Sequence, residues 1–187
     1  MSETATRTVW RATVDDLYKV DGKAELVDGG LKIMDGTGDM PGLAGGVIFA
    51  SLLAHARKTR RGVAYPDNLS FLVDLPNRRS FSPDAAYYTG PRAGMKFLPT
   101  APDFAVEVRS ESDYRPKADH DMLAKRRDYF AAGTQVVWDV DLLSDDVVRV
   151  FRDGDASTPA AVYRRGEAAE AEPAVPGWRF PVDELFE

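Results

Sequence analysis

Two short stretches carry the residues best suited to chemistry, Pro83-Asp84-Ala85-Ala86-Tyr87-Tyr88 and Pro102-Asp103-Phe104-Ala105-Val106-Glu107-Val108-Arg109. Each starts with Pro-Asp and runs into apolar, β-favouring residues, the pattern of a strand opened by a proline that owes no N–H to a ladder. If the two strands pair antiparallel, the start of the first lies beside the end of the second, and Asp84 meets Glu107. Two carboxylates at a sheet end offer hard oxygen ligands to Mg2+ or Mn2+, ions that take carboxylates, water and phosphate oxygens. Asp103 precedes Glu107 by about 13 Å of strand, too far to share one ion, and is read as structural. Such a site also needs a cation to hold water or neutralise charge on a pentacovalent phosphate. Two residues after Glu107, on the same strand face, stands Arg109, whose guanidinium keeps its proton and makes a poor base. Lys125, one helical turn after Asp121 on the helix that follows, is the better candidate.

Composition narrows what such a site can be. The chain has 187 residues and 44% hydrophobic content, which fits a single domain over residues 9–187 with a substantial core. With 24 basic against 30 acidic residues and a formal charge of -6, a surface given over wholly to nucleic acid is not expected. Cysteine is absent and histidine occurs twice, so disulfides, thiolate zinc sites and zinc hydrolase chemistry lack their ligands. No apolar run reaches about 18 residues, and no basic-then-apolar leader is visible, so the expected setting is cytoplasmic, without a membrane.

The elements that must position the acids follow from local patterns. Residues 1–8 are small and polar and are expected to be disordered. Thr13 to Asp16 forms a capping pattern that predicts a short helix through Val20. Ala24–Val27 and Leu31–Met34 flank Asp28-Gly29-Gly30, a hairpin signature. After glycines and Pro41, apolar spacing predicts a helix from Leu43 to Arg60 with Gly62 at its C-terminal cap. Residues 69–74 read as a strand, and a Gly/Pro-rich loop over 89–102 carries Arg92 and Lys96. A helix over 119–132 ends at Gly133, and strands at 135–140 and 146–151 form a second hairpin. Asp139 and Asp141 are expected to end the first of these strands and shape the turn. Residues 153–176, rich in Ala, Glu, Pro and Gly, read as poor core with an edge strand near Ala160–Tyr163. Trp178, Phe180, Leu185 and Phe186 are expected to dock the C-terminus on the body.

Taken in order, ELVDG at 25–29, SPDAAYY at 82–88, PDFAVEVRSES at 102–112, KRRDYFAAGTQVVWDVD at 125–141 and PGWRFPVDELF at 176–186 resemble the Uma-two type of restriction-endonuclease-like proteins, within the PD-(D/E)xK nuclease superfamily. The resemblance implies an α/β fold with a mixed central sheet flanked by helices and with N-terminal and C-terminal β-hairpins. It implies a Mg2+ or Mn2+ site and endonucleolytic phosphodiester hydrolysis, with DNA as the expected substrate and a homodimer as the expected assembly. By position, Asp84 and Glu107 match the metal-binding acids, Lys125 matches the catalytic lysine moved onto the helix, and Glu25 matches an early acid that completes the site. Two departures stand out. Ser110-Glu111-Ser112 replaces a frequent Ser-Pro-Ser, and the long helix starts with Leu43 to Gly46 where relatives often carry a histidine. His55 lies too far along that helix to replace it. Arg57 and Lys58 with Arg60 and Arg61, and Arg115 and Lys117 with Arg126 and Arg127, are candidate phosphate contacts. The loops over 89–102 and 110–119 are expected to meet substrate. The other reading, favoured by the net negative charge and Glu111, is a catalytically inactive nuclease-fold protein that acts as a binding or assembly module.

Overall fold

The computed structural model of the chain describes residues 9–152 and 154–187; the expected disorder of residues 1–8 lies outside the described residues. At its centre six strands run, edge to edge, as β10 (Ala161–Tyr163), β9 (Val148–Arg152), β8 (Val136–Val140), β7 (Phe104–Val108), β6 (Ala85–Tyr88) and β3 (Val63–Pro66). Strands β7 and β8 are parallel, and helix α3 (Ala118–Ala131) crosses between them; every other neighbouring pair is antiparallel. A parallel pair needs such a crossover, whereas β8 and β9 join through a short polar turn. The sheet is thus mixed, and β6 pairs with β7 antiparallel, the arrangement that sets the start of the first Pro-Asp strand beside the end of the second.

Strand alternation sorts the core into two layers. Tyr87, Phe104, Val106, Trp138 and Val150 face helix α2 (Asp39–Thr59), whose Ala44, Ile48 and Leu52 are buried against them. The opposite face carries Ala86, Tyr88, Ala105 and Val137 beneath Tyr129 of α3, which stacks on Phe81 at 3.9 Å between ring centroids. Glu107 belongs to that second face by parity. Away from the central sheet, β1 (Ala24–Val27) and β2 (Gly30–Ile33) form the expected N-terminal hairpin. The capping box of Thr13 and Asp16 starts a helix, α1, that spans only Val14–Leu17.

Other expectations need correction. The strand predicted over 69–74 shrinks to β4 (Phe71–Leu72), which pairs with β5 (Ser80–Phe81) outside the central sheet. Helix α2 begins at Asp39, ahead of Pro41 and Gly42, because a proline in the first turn gives up no helical hydrogen bond. Arg60, at φ 54, takes the left-handed cap position, with Gly62 two residues beyond it also at positive φ. No side chain fits at Gly62, where an added Cβ would lie 2.3 Å from the Tyr87 ring. The stretch 153–176 does build core. Ala169, Ala171, Ala174 and Val175 are buried, and β11 (Ala168–Glu170) pairs with β12 (Arg179–Pro181). Small side chains there let the C-terminal Trp178 and Phe180 lie against Trp138. By length and composition α2 could also cross a membrane, although its inner face is spent on this core.

Candidate active site at one end of the central sheet

Asp84 stands one residue before β6. Its backbone N–H donates to the Val106 carbonyl at 2.9 Å, and its side-chain Oδ2 accepts from the Val108 N–H at 2.7 Å. One carboxylate is thereby fixed across the end of β7, next to Glu107 between those two residues. Glu107 accepts from Lys125 Nζ at 2.8 Å and from the Tyr129 hydroxyl at 2.6 Å. Lys125 and Tyr129 are four residues apart on α3, so one helix face delivers both donors. Glu25, buried at 2% exposure, completes the group: Lys125 Nζ lies 2.9 Å away, Arg78 donates at 2.6 Å, and the Ser82 N–H donates at 2.9 Å. The β1–β2 hairpin is held there through the Leu26 N–H on Ser80 Oγ and the Arg79 N–H on the Leu26 carbonyl. Lys23, two residues before Glu25, reaches Asp84 Oδ1 at 2.6 Å and Asp67 at 2.7 Å.

The charges set one another's protonation. Burial by itself would raise the Glu25 carboxyl, but Lys125 and Arg78 outweigh it and hold it at about 2. Burial pushes the Glu107 carboxyl up, with Asp84 and Glu25 adding to the rise against the pull of Lys125. Burial opposes the charged form of Lys125, yet Glu107 and Glu25 prevail and raise it, so it remains an ammonium. Lys23 is raised likewise, Asp84 and Glu107 outweighing its burial. Tyr129 is raised well above its ordinary value by burial and by Glu107, and it remains a hydroxyl donor.

These groups open onto a cleft of about 460 Å³ between the loop after β2 and the start of α3. Lys23, Asp84, Glu107 and Lys125 line it, together with Lys32, Arg115 and Lys117. The structure therefore joins Asp84, Glu107, Lys125 and Glu25 in one constellation. Arg109 is not part of it: its guanidinium grips Asp139 at 2.9 Å through two nitrogens and Asp119 at 2.9 Å. Asp139 is correspondingly a buried anchor within β8 rather than a strand-ending turn residue. Asp141 does shape the turn, accepting from the Leu143 N–H, and it also accepts from Tyr114.

Arg126 corrects the expectation of a phosphate contact. It is 9% exposed, donates to the Ala156 carbonyl and to Asp139, and lies over the Phe151 ring at 4.1 Å. Arg57 and Lys58 are exposed but sit at the far end of α2 from the cleft. Gly45 abuts Asp84, and twelve residues of helix carry Arg57 about 18 Å further. Asp103 stays structural, accepting from the Thr89 N–H at the other end of the strand pair. Lys23, Arg78 and Tyr129 were not anticipated. The two-residue spacing of Lys23 and Glu25, and the helical spacing of Lys125 and Tyr129, were signals that could have flagged two of them.

Among the described residues, no three His, Asp or Glu side chains close into a metal cage. Asp84 and Glu107 nevertheless suit Mg2+ or Mn2+, since Mg2+ is commonly held by one or two carboxylates with water and substrate phosphate supplying the rest. Lys23 and Lys125 mark the same demand, because each places an ammonium where the acids call for positive charge.

Comparison with known proteins bears on the family and the fold. The model of the Uma2 family, described as "Putative restriction endonuclease", matches residues 12–183. The crystal structure of "a putative nuclease belonging to DUF820" from Anabaena variabilis ATCC 29413 superposes with a TM-score of 0.70 at 16% identity, over 94% of this chain and 97% of that one. At that identity the likeness establishes a shared fold. No curated protein matches the chain.

Proposed function

The chain belongs to the Uma2 family of restriction-endonuclease-like proteins, and from that premise we propose that it is a Mg2+- or Mn2+-dependent endonuclease that hydrolyses phosphodiester bonds, with DNA as its substrate. The observation that carries the proposal is the convergence of Asp84, Glu107, Glu25 and Lys125 on one sheet end, in a cleft flanked by Lys32, Arg115 and Lys117. Asp84 and Glu107 would hold the ion, which when bound polarises the phosphate and lowers the pKa of a coordinated water. Lys125, kept cationic by its two carboxylates, would orient the water or neutralise charge as the phosphorus becomes five-coordinate. Glu25 would hold the Lys125 ammonium in place, and Arg78 and the Ser82 N–H would hold Glu25. Arg115 and Lys117 would contact the phosphate backbone on either side of the cut, a role that makes binding weaken with salt.

The test is cleavage of supercoiled plasmid, single-stranded DNA and RNA by wild type and Glu107→Gln, each with Mg2+, Mn2+ or EDTA. Metal-dependent cutting of DNA that the variant loses supports the proposal. Cutting of RNA alone would overturn the substrate assignment. Absence of cutting, together with calorimetry that shows no Mn2+ binding sensitive to Glu107→Gln, would overturn catalysis in favour of a binding or assembly module.

A further inference from the structure

Helix α2 has an outer face that its inner packing does not explain. Ala44, Gly45, Ile48, Leu52 and Ala56 point into the core, as an amphipathic helix requires. The side turned away should then be polar. Instead, from Met40 to Ala56 the chain holds no charged residue, and the outward positions are Met40, Leu43, Gly46, Ala50 and Ala54, bordered by Val47, which is half-buried and also packs against the core. Met40 and Leu43 are each 47% exposed. At about 100° per residue, Leu43, Val47, Ala50 and Ala54 fall within about 60° of one another, a continuous apolar strip along the helix.

Charge appears on this face only at its two ends. Asp39 stands at the N-terminal end, and Arg57 and Lys58 stand at the C-terminal end. All three are exposed, and none forms a salt bridge among the described residues. A surface that is acidic at one end, basic at the other and apolar between complements itself when turned end for end. A parallel partner would instead set acid against acid and base against base.

We infer that the outer face of α2 joins two copies of this chain, helix against helix and antiparallel, about a twofold axis between Val47 and Ala50. Pairing Asp39 with the partner's Lys58 fixes the register. The same register sets Leu43 opposite the partner's Ala54 and Val47 opposite the partner's Ala50, so each large side chain meets a small one. Gly46 and Ala50 at the crossing allow the axes to approach near the lower end of the usual 8–10 Å. The interface is isologous, with each contact made twice, as closed two-fold dimers require. Gly45, on the helix's inner side, abuts Asp84. The joint therefore lies one helix away from each cleft and does not depend on the nuclease reading.

The test is sedimentation velocity of the full chain from low micromolar concentration upward. A concentration-dependent dimer is expected. Leu43→Asp should yield monomer with an unchanged circular dichroism spectrum, since the site is exposed. Asp39→Lys should weaken association by about tenfold, and combining it with Lys58→Asp should restore it. A monomer at every concentration overturns the inference. So does a dimer that Leu43→Asp leaves intact, or a charge swap that fails to restore association. Binding of the monomer to phosphatidylcholine–phosphatidylserine vesicles through Leu43, without dimer, would overturn it as well and assign the face to a lipid surface.

Discussion

Glu25 offers a direct reading of the site's electrostatics through folding stability. Its carboxyl is held at about 2 in the folded protein against an ordinary 4.5, because Lys125 and Arg78 overcome the cost of its burial. A depressed carboxyl contributes stability that is complete above the unfolded pKa and disappears as the pH falls through the folded one. The window here runs from about pH 4.5 down to about pH 2. At about 1.4 kcal/mol per unit, the shift corresponds to about 3 kcal/mol. Glu25→Gln removes the titrating group while retaining most of its volume. Urea denaturation of wild type and variant, at steps from pH 6 to pH 2.5, isolates the contribution as the difference between the two unfolding free energies. That difference is expected to be about 3 kcal/mol at pH 6 and to shrink steadily below pH 4.5. Lys125 and Arg78 stay protonated throughout, so they do not alter the sign. A difference that stays constant from pH 6 to pH 3 would show that the ion pairs with Lys125 and Arg78 do not set the Glu25 carboxyl, and the electrostatic account of the site would fail.

Other perturbations separate the cleft from its scaffold. Lys23→Gln removes the ammonium held 2.6 Å from Asp84, so Mn2+ is expected to bind about tenfold tighter by calorimetry; unchanged or weaker binding would show that Lys23 does not compete with the ion. Arg126→Met is expected to cost about 3 kcal/mol in urea denaturation by leaving Asp139 and the Ala156 carbonyl short of a donor, whereas Arg115→Ala should spare stability and weaken DNA binding in a salt titration. The reverse pattern would restore Arg126 as a phosphate contact. Gly62→Ala combines a positive φ with an added Cβ 2.3 Å from Tyr87, so a loss of about 2 kcal/mol or more is expected, and a neutral effect on the melting temperature would contradict the packing described at that turn.

What the chain revealed in advance depended on how local the signal was. The Pro-Asp strands, the Asp28-Gly29-Gly30 hairpin and helix α3 follow from neighbours in sequence, and the structure contains all of them; the parallel crossover that α3 makes does not follow from them. The meeting of Asp84 with Glu107 followed because an antiparallel pair fixes which ends adjoin. Glu25 joined the site through family resemblance, since nothing near it in sequence shows that its hairpin docks on Ser80 and Arg79. Arg78 sits in Asn77-Arg78-Arg79, which reads as a solvated turn, and only tertiary packing places it against Glu25 and Asp128. Residues 153–176 misled for a different reason. Alanine, proline and glycine suggest surface by composition, yet alanine is the size that fits beneath Trp178 and Phe180.

The same topology explains why the lysine of this site comes from the helix rather than from the strand. Parallel pairing sets Glu107 beside Asp139 in register, so two acids lie next to each other across β7 and β8. Buried carboxylates without cations are costly, and each needs its own. Arg109, at the end of β7, is taken by Asp139 and cannot also serve Glu107. Helix α3 crosses above both strands and presents Lys125 and Arg126 in succession, turned about 100° from one another. Lys125 goes to Glu107 and Glu25, and Arg126 goes to Asp139. If Asp139 is what commits Arg109, then Asp139→Asn should release the arginine and lower its hold on the end of β7. Lys125 would keep its place, because its two carboxylates remain.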